Sequence, residues 1–395
     1  MKTYGSSKPI RILHLIPTFS PREGGAQIYI HTIADNLKSS VTTEVLTRKF
    51  YDTPVEEKLQ NVYVHRYKNI MPERWKSYAT GVGRVLKYQK YMVAFTDMFS
   101  SIYRTLRMAK NCDVIHLHFP IPLGLAAVLG SKIFNKPLVV TVHGNADIYE
   151  AGKPLYPLIK MVLVMADYIT VSGAELSDVI KDELGVMDQI TVTPPAVNLD
   201  SYCPSENKDI LFGLTLITVG RLMPRKNLEN LVQAFQASNR MKDNKLRIVG
   251  TGPDLNRLKG LVAEENKDRI IFEGFVSEKD KIRFLKDSHL FVQPSLSEGF
   301  SRATVEALSC GVPALVSDAK GVREPIVEGE TGFLIKEPKS VDCIVRALEY
   351  ACDDKSRLVT MGENARAHAN QNFSELNMAT SYLNLYREAT GIHSV

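Results

Sequence analysis

The sequence is poor in residues that staple or anchor a chain. Its five cysteines, Cys112, Cys203, Cys310, Cys343 and Cys352, are scattered over 395 residues, odd in number and without a CxxC pair. That excludes a disulfide framework and fits reduced thiols in a cytoplasmic protein. No apolar run reaches the roughly 18 residues that cross a bilayer. The most apolar stretch, LYPLIKMVLVMADYITV, is interrupted by Lys160 and Asp167. The N-terminal apolar run is short and carries His14 and Pro17, so no secretory signal is expected. A G-x-G-x-x-G fingerprint is also missing. Gly24-Gly25 has the wrong spacing, and VGTGPDL places Leu255 where the third glycine belongs, which disfavours a dinucleotide oxidoreductase. The formal net charge of +5 is modest and does not call for nucleic acid. Neither low-complexity segments nor solenoid-length repeats occur.

What is present is regular alternation. Short β-rich runs such as IRILHLI, DVIHLHF, PLVVTVH, LTLITVG, KLRIVG, LFVQPS and PALVSD are separated by helical patterns. Ala26, Ile30, Ile33, Ala34 and Leu37 recur at helical intervals, as do Leu228, Leu231, Val232 and Phe235. Near-continuous apolar strands alternating with helices predict α/β architecture with parallel sheets covered on both faces. The length predicts two domains. The polar stretch at 202–210 lacks periodicity and is expected to be the hinge. The predicted layout is residues 1–203 and 204–373, each Rossmann-like, facing a cleft, and a last helix at 374–395 that returns to the first domain.

Such sheets bind ligands beyond the carboxyl ends of their strands, and chemistry-bearing residues gather there. After LFVQPS comes Glu298-Gly299-Phe300, then a helix from about Ser301 containing Glu306. A helix N-terminus offers unpaired N–H groups to a phosphate, and the two carboxylates can accept hydroxyls from different parts of one elongated ligand. After LTLITVG, Arg221 and Lys226 place two cations at a strand end, suited to a diphosphate. Gly24 and Gly25 precede a helix and let backbone approach an anion. His143 ends PLVVTVH. His116 and His118 alternate to one face of DVIHLHF. Three histidines raise the question of zinc, but no acid or thiol is spaced with them, so no metal is expected.

Taken in order, SEGFSRATVEALSCGVPALVSD, GVREPIVEGETGFLI, VGRLMPRKN, IVGTGP, FEGFVS, GGAQ and TVHG resemble glycosyltransferase family 4, over essentially the whole chain. The resemblance implies the two-domain GT-B fold and retaining transfer from a nucleotide sugar, without a metal. It implies that Arg221 and Lys226 neutralise the diphosphate and that Glu306 bonds the ribose. It also implies that Glu298, helped by backbone at Gly299, Phe300 and Ser301, holds the donor sugar. His143 would lie near the reacting side of the sugar, Gly25 near the phosphates, and the base beside Phe275 and Val276. Two departures stand out. Ser301-Arg302 replaces the usual small–apolar pair, and PPAVNLD, with Ala196, replaces Asn-Gly-Val-Asp near the hinge.

Residues 66–110 carry ten Lys and Arg against Glu73 and Asp97, together with Trp75, the single tryptophan. Val82, Val85, Tyr88, Met92, Phe95, Phe99, Ile102 and Leu106 follow a three–four spacing. One expectation is a helix packed on the sheet through this stripe. The other is a basic, apolar rim that meets an anionic membrane surface or a polyprenol-linked acceptor. The expected enzyme is thus a metal-independent, retaining hexosyltransferase. Its expected donor is a UDP-sugar and its acceptor a bacterial surface glycan or lipid-linked precursor, at the inner face of the membrane. The alternatives are a small soluble acceptor, a sugar-nucleotide epimerase, or a catalytically silent subunit of the same fold.

Overall fold

The computed structural model describes residues 8–21, 25–50, 52–69, 87–144, 148, 153–187, 190–205 and 213–392. Gly24, Trp75, Val82, Val85 and half of the expected hinge lie outside the described residues. By internal contacts the chain forms two compact units. One comprises Met1–Ser172, Leu176–Pro194 and Leu376–Val395, the other Gly173–Glu175 and Pro195–Glu375.

The first unit is built on strands β1 (Ile10–Leu15), β2 (Val41–Arg48), β3 (Glu56–Leu59), β4 (Val62–Tyr67), β5 (Val114–His118), β6 (Leu138–Val142), β7 (Tyr168–Val171) and β8 (Ile190–Val192). Their order is β3-β4-β2-β1-β5-β6-β7-β8, parallel except for β3 against β4. β5 and β6 are buried at every position, which is why they read as unbroken apolar runs rather than alternating ones. Helix α1 (Gly25–Asn36) buries Ala26, Ile30, Ile33 and Ala34 as its spacing predicts. The C-terminal helix Glu375–Thr390 belongs to this unit from Leu376 onward and buries Tyr382 and Tyr386.

Helix α2 (Lys87–Ala109) packs the opposite way from the first expectation. Its buried line is Val93, Asp97, Ser101, Thr105 and Ala109, one residue per turn. These small and polar side chains let α2 lie close against α3 (Gly124–Phe134), where a Cβ on Gly130 would come within 3.3 Å of Ala109 and 3.4 Å of Thr105. Buried Asp97 is satisfied by Arg48 at 2.8 Å and Asn69 at 2.5 Å. The described part of the apolar stripe faces outward instead, with Met92 51%, Phe95 59% and Phe99 47% exposed and Ile102 and Leu106 partly buried. Periodicity identifies residues that share a face, and the partner helix decides which face is covered.

The second unit carries β9 (Thr215–Val219), β10 (Lys245–Val249), β11 (Ile270–Gly274), β12 (Leu290–Gln293), β13 (Ala314–Ser317) and β14 (Gly332–Ile335). The order is β11-β10-β9-β12-β13-β14, parallel throughout. Helix α4 (Leu228–Ala237) covers one face through Leu228, Leu231, Val232 and Phe235. Helices α5 (Glu278–Lys286) and α6 (Arg302–Ser309) carry polar side chains that matter below. In both sheets the strand order reverses beside the first strand, between β1 and β5 and between β9 and β12. Such switch points open a crevice at the carboxyl ends, where ligands sit.

Candidate active site

At the second switch point, the loops after β9 and β12 are joined by their charges. Chain leaves β9 through Gly220, turns tightly at Pro224–Lys226, and passes Asn227 in the left-handed conformation (φ 54°) before α4 begins. The Leu296 N–H donates to the Arg225 carbonyl at 2.8 Å, stitching this turn to the loop after β12. Across the stitch, Lys226 Nζ lies 2.6 Å from Glu298 Oε1 and Arg225 lies 3.3 Å from Glu298 Oε2. Glu298 is buried, so this acid is held by two cations rather than by water.

Behind Glu298, Gln293 at the end of β12 organises the turn. Its amide donates toward Glu298 at 3.4 Å and Ser295 at 3.2 Å, while its carbonyl oxygen accepts from Ser301 at 2.5 Å and Thr304 at 3.2 Å. Ser301 caps α6 by accepting the Thr304 N–H, a contribution of about 1 kcal/mol. The helix N-terminus and the acid are therefore held by one buried side chain. Gly321, at φ 63°, lets the segment after β13 pass beneath them, since a Cβ there would sit 2.0 Å from the Glu298 carbonyl oxygen.

Glu306, inside α6, is also buried and doubly paired, with Lys281 of α5 at 3.0 Å and Arg302 at 3.1 Å. Arg302, the departure noted in the sequence, thus lies along its own helix on Glu306. Arg221 is exposed at the mouth of the β9 turn. Past β11, Phe275 is 86% exposed, while Val276 packs on the core. The GxG of VGTGPDL has a structural task. A Cβ on Gly250 would meet the Gly220 oxygen at 1.9 Å, and one on Gly252 the Leu222 oxygen at 2.0 Å. The two glycines let one turn cross the other.

In the first unit, Gly25 opens α1 at an exposed position where an added Cβ meets nothing within 4 Å. His143 follows β6, half-buried, with Tyr29 edge-on at 4.9 Å and Phe119 at 5.1 Å. His14, His116 and His118 cluster under it with ring nitrogens within 4.8 Å of one another. Their nitrogens are largely committed elsewhere. His116 bonds Tyr386 and Thr141, both at 2.7 Å, and His14 bonds His118 at 2.9 Å. Among the described residues no carboxylate or thiol joins them. Three imidazoles alone can hold zinc, but with both nitrogens of His116 bonded to hydroxyls the arrangement here is a hydrogen-bonded cluster.

Sequence reading missed Arg225, Gln293, Lys281 and His14. Arg225 and Gln293 were legible as neighbours of Lys226 and as the last residue of LFVQPS. Lys281 and His14 come from other elements and carry no local signal.

Two families of chains match this one. Residues 23–201 match the model described as Glycosyltransferase Family 4, and residues 213–368 match Glycosyl transferases group 1. The UDP-Gal:alpha-D-GlcNAc-diphosphoundecaprenol alpha-1,3-galactosyltransferase of Escherichia coli is 31% identical over 306 residues, covering 72% of this chain and 78% of that one. Among solved structures, sucrose-phosphate synthase from Thermosynechococcus elongatus superposes with a TM-score of 0.81 at 20% identity, over 97% of this chain and all of that one. Anabaena Alr3699/HepE in complex with UDP gives 0.74 at 18% identity, over 96% of this chain and all of that one. The fold is that of the two-domain nucleotide-sugar transferases, GT-B. The chain belongs to glycosyltransferase family 4.

Proposed function

We propose that the protein transfers a hexose or N-acetylhexosamine from a UDP-sugar to a hydroxyl of a lipid-linked glycan precursor of the bacterial surface. In this reading transfer proceeds with retention and without a metal. The observation that carries it is the Lys226–Glu298–Arg225 cluster ahead of the capped N-terminus of α6. Departure of a nucleoside diphosphate builds negative charge, and fixed cations with helix N–H groups can absorb it in place of a divalent ion. Arg221 and Lys226 take the diphosphate, and Gly24 and Gly25 let backbone approach its charge. Glu298, with backbone at Gly299, Phe300 and Ser301, holds the sugar. Glu306 takes the ribose, and Phe275 and Val276 flank the base. The acceptor oxygen bonds to the anomeric carbon on the face that the phosphate leaves, the carbon–oxygen bond to phosphate breaks, and the acceptor proton passes to the departing phosphate oxygen. His143 contacts the sugar, and no protein base is required.

The outward stripe of α2 supports a lipid-linked acceptor. Met92, Phe95 and Met98 line an almost wholly apolar cavity of about 810 Å³ together with Ile121, Leu155 and Leu158. No helix among the described residues is long and apolar enough to cross a membrane. A rim of this kind, within a segment that carries a surplus of eight positive charges, suits the surface of an anionic bilayer.

The test is thermal stabilisation by a panel of nucleoside diphosphates and nucleotide sugars, repeated on Arg221→Ala. Stabilisation by UDP and one UDP-sugar that disappears in the variant supports the reading. Equal stabilisation of both proteins, or none by any nucleotide, refutes it. Product stereochemistry read by the anomeric proton coupling, with and without EDTA, checks retention and metal independence separately.

A further inference from the structure

Beneath His143 runs a line of imidazoles at the first unit's switch point. His143 Nε2 lies 2.9 Å from His118 Nδ1, and His118 Nε2 lies 2.9 Å from His14 Nδ1. His14 and His118 are fully buried. The line ends at His14 Nε2, which is buried and has no hydrogen-bond partner among the described residues. His116 stacks on His118 at 4.2 Å but stands outside the line, its own nitrogens committed to Tyr386 and Thr141.

A neutral imidazole has one N–H and one lone pair. Burial disfavours the charged form of each of these rings and keeps them neutral near pH 7. With every ring neutral, both hydrogen bonds must run in the same direction. If they ran inward, His14 Nε2 would carry a hydrogen with nothing to receive it, and orphaned buried N–H groups are rare. If they run outward, His14 Nδ1–H donates to His118 Nε2 and His118 Nδ1–H donates to His143 Nε2. The buried end is then a bare lone pair, the milder omission.

We propose that His14 and His118 are positioning residues that set the tautomer of His143, committing its Nε2 as an acceptor and placing its hydrogen on Nδ1. The consequence for transfer rests on reading His143 as a contact to the donor sugar. In that role Nδ1 presents a hydrogen rather than a lone pair, so the ring cannot serve as a base there. Specificity would then favour a donor sugar that presents an acceptor oxygen to this nitrogen.

Two measurements on the full chain test this. The first is ¹⁵N NMR of histidine-labelled protein at pH 7.5, which distinguishes Nδ1–H from Nε2–H rings. His143 and His118 are expected as Nδ1–H tautomers, and either one found as Nε2–H overturns the proposal whatever the activity is. The second compares two amides in place of His118. In His118→Asn the side-chain amide takes the place of Nδ1 and can still donate to His143. In His118→Gln it takes the place of Nε2 and cannot. Turnover is expected to fall about tenfold or more in His118→Gln, with the donor KM little changed, and to be largely restored in His118→Asn. Equal losses in both variants overturn the positioning role. Should His143→Ala keep full activity while the tautomers are as stated, the site reading fails and the relay stands.

Discussion

Acid should weaken the first unit through its buried histidines. Burial lowers the pKa of His14 from 6.5 to about 3, and His143 is lowered to about 3 for the same reason. His116 and His118 move in the same direction, through burial first and repulsion from neighbouring rings second. In the unfolded chain each histidine takes up a proton near pH 6.5. Between pH 6.5 and 3 the unfolded state therefore binds more protons than the folded state, and stability falls as the pH drops through that window. Above pH 6.5 neither state is protonated and nothing is lost. One fully shifted group costs about 1.4 kcal/mol per pH unit, so His14 alone removes about 2 kcal/mol between pH 7.5 and 5. The half-buried His143 contributes less than its shift implies, and His116 and His118 add to the loss. Hydrogen exchange of β1 and β5 amides, corrected for intrinsic rates, reads this locally. In His14→Gln the difference between the two pH values should shrink by about 2 kcal/mol, while carboxylate titrations elsewhere cancel in the comparison. The same pH dependence in both proteins would refute the reasoning, since His14 would then not be a buried neutral ring.

Three further outcomes follow from the geometry. Gly321→Ala puts a Cβ 2.0 Å from the Glu298 carbonyl oxygen at a left-handed position; melting and UDP titration should show a loss of roughly 1–3 kcal/mol in stability together with weaker UDP binding, and unchanged values would rule out the close passage. Glu306→Gln tests the proposed contact of this acid with the ribose: UDP should weaken by about tenfold while pyrophosphate affinity stays unaltered, and a parallel loss of both, by calorimetry, would reassign it. Phe95→Ser with Phe99→Ser exposes no core, so the fold should persist, while co-sedimentation with phosphatidylglycerol–phosphatidylcholine vesicles at low salt should drop severalfold; equal binding by wild type and variant would remove the stripe from the membrane.

Much of the second unit's site was legible in the chain. Glu298, Lys226 and the helix after Ser301 are local to two strand ends, and short-range patterns preserve such features. That Glu298 answers to Arg225 as well as Lys226 was not legible, because two loops some seventy residues apart meet only when β9 and β12 become neighbours. Arg302 stood out in the chain only as a departure from the family's usual pair, and helical geometry lays it on Glu306 four residues later. On α2, spacing identified residues that share a stripe but left open whether it packs on the sheet or forms a rim, and the small residues facing Gly130 take the buried place.

By itself the sequence determined the alternation of strand and helix, the unbroken apolar runs that mark covered, mostly parallel sheets, and the acids and cations at the strand ends. These depend on neighbours within a few residues, so they survive in one dimension. Tertiary structure alone decided which face of α2 meets solvent, that Arg225 joins Glu298 and Lys281 joins Glu306, and that His14 stands behind His118 and His143. Those outcomes depend on strand order and helix packing, which bring side chains of distant segments within 3.3 Å of each other, and no local spacing encodes that.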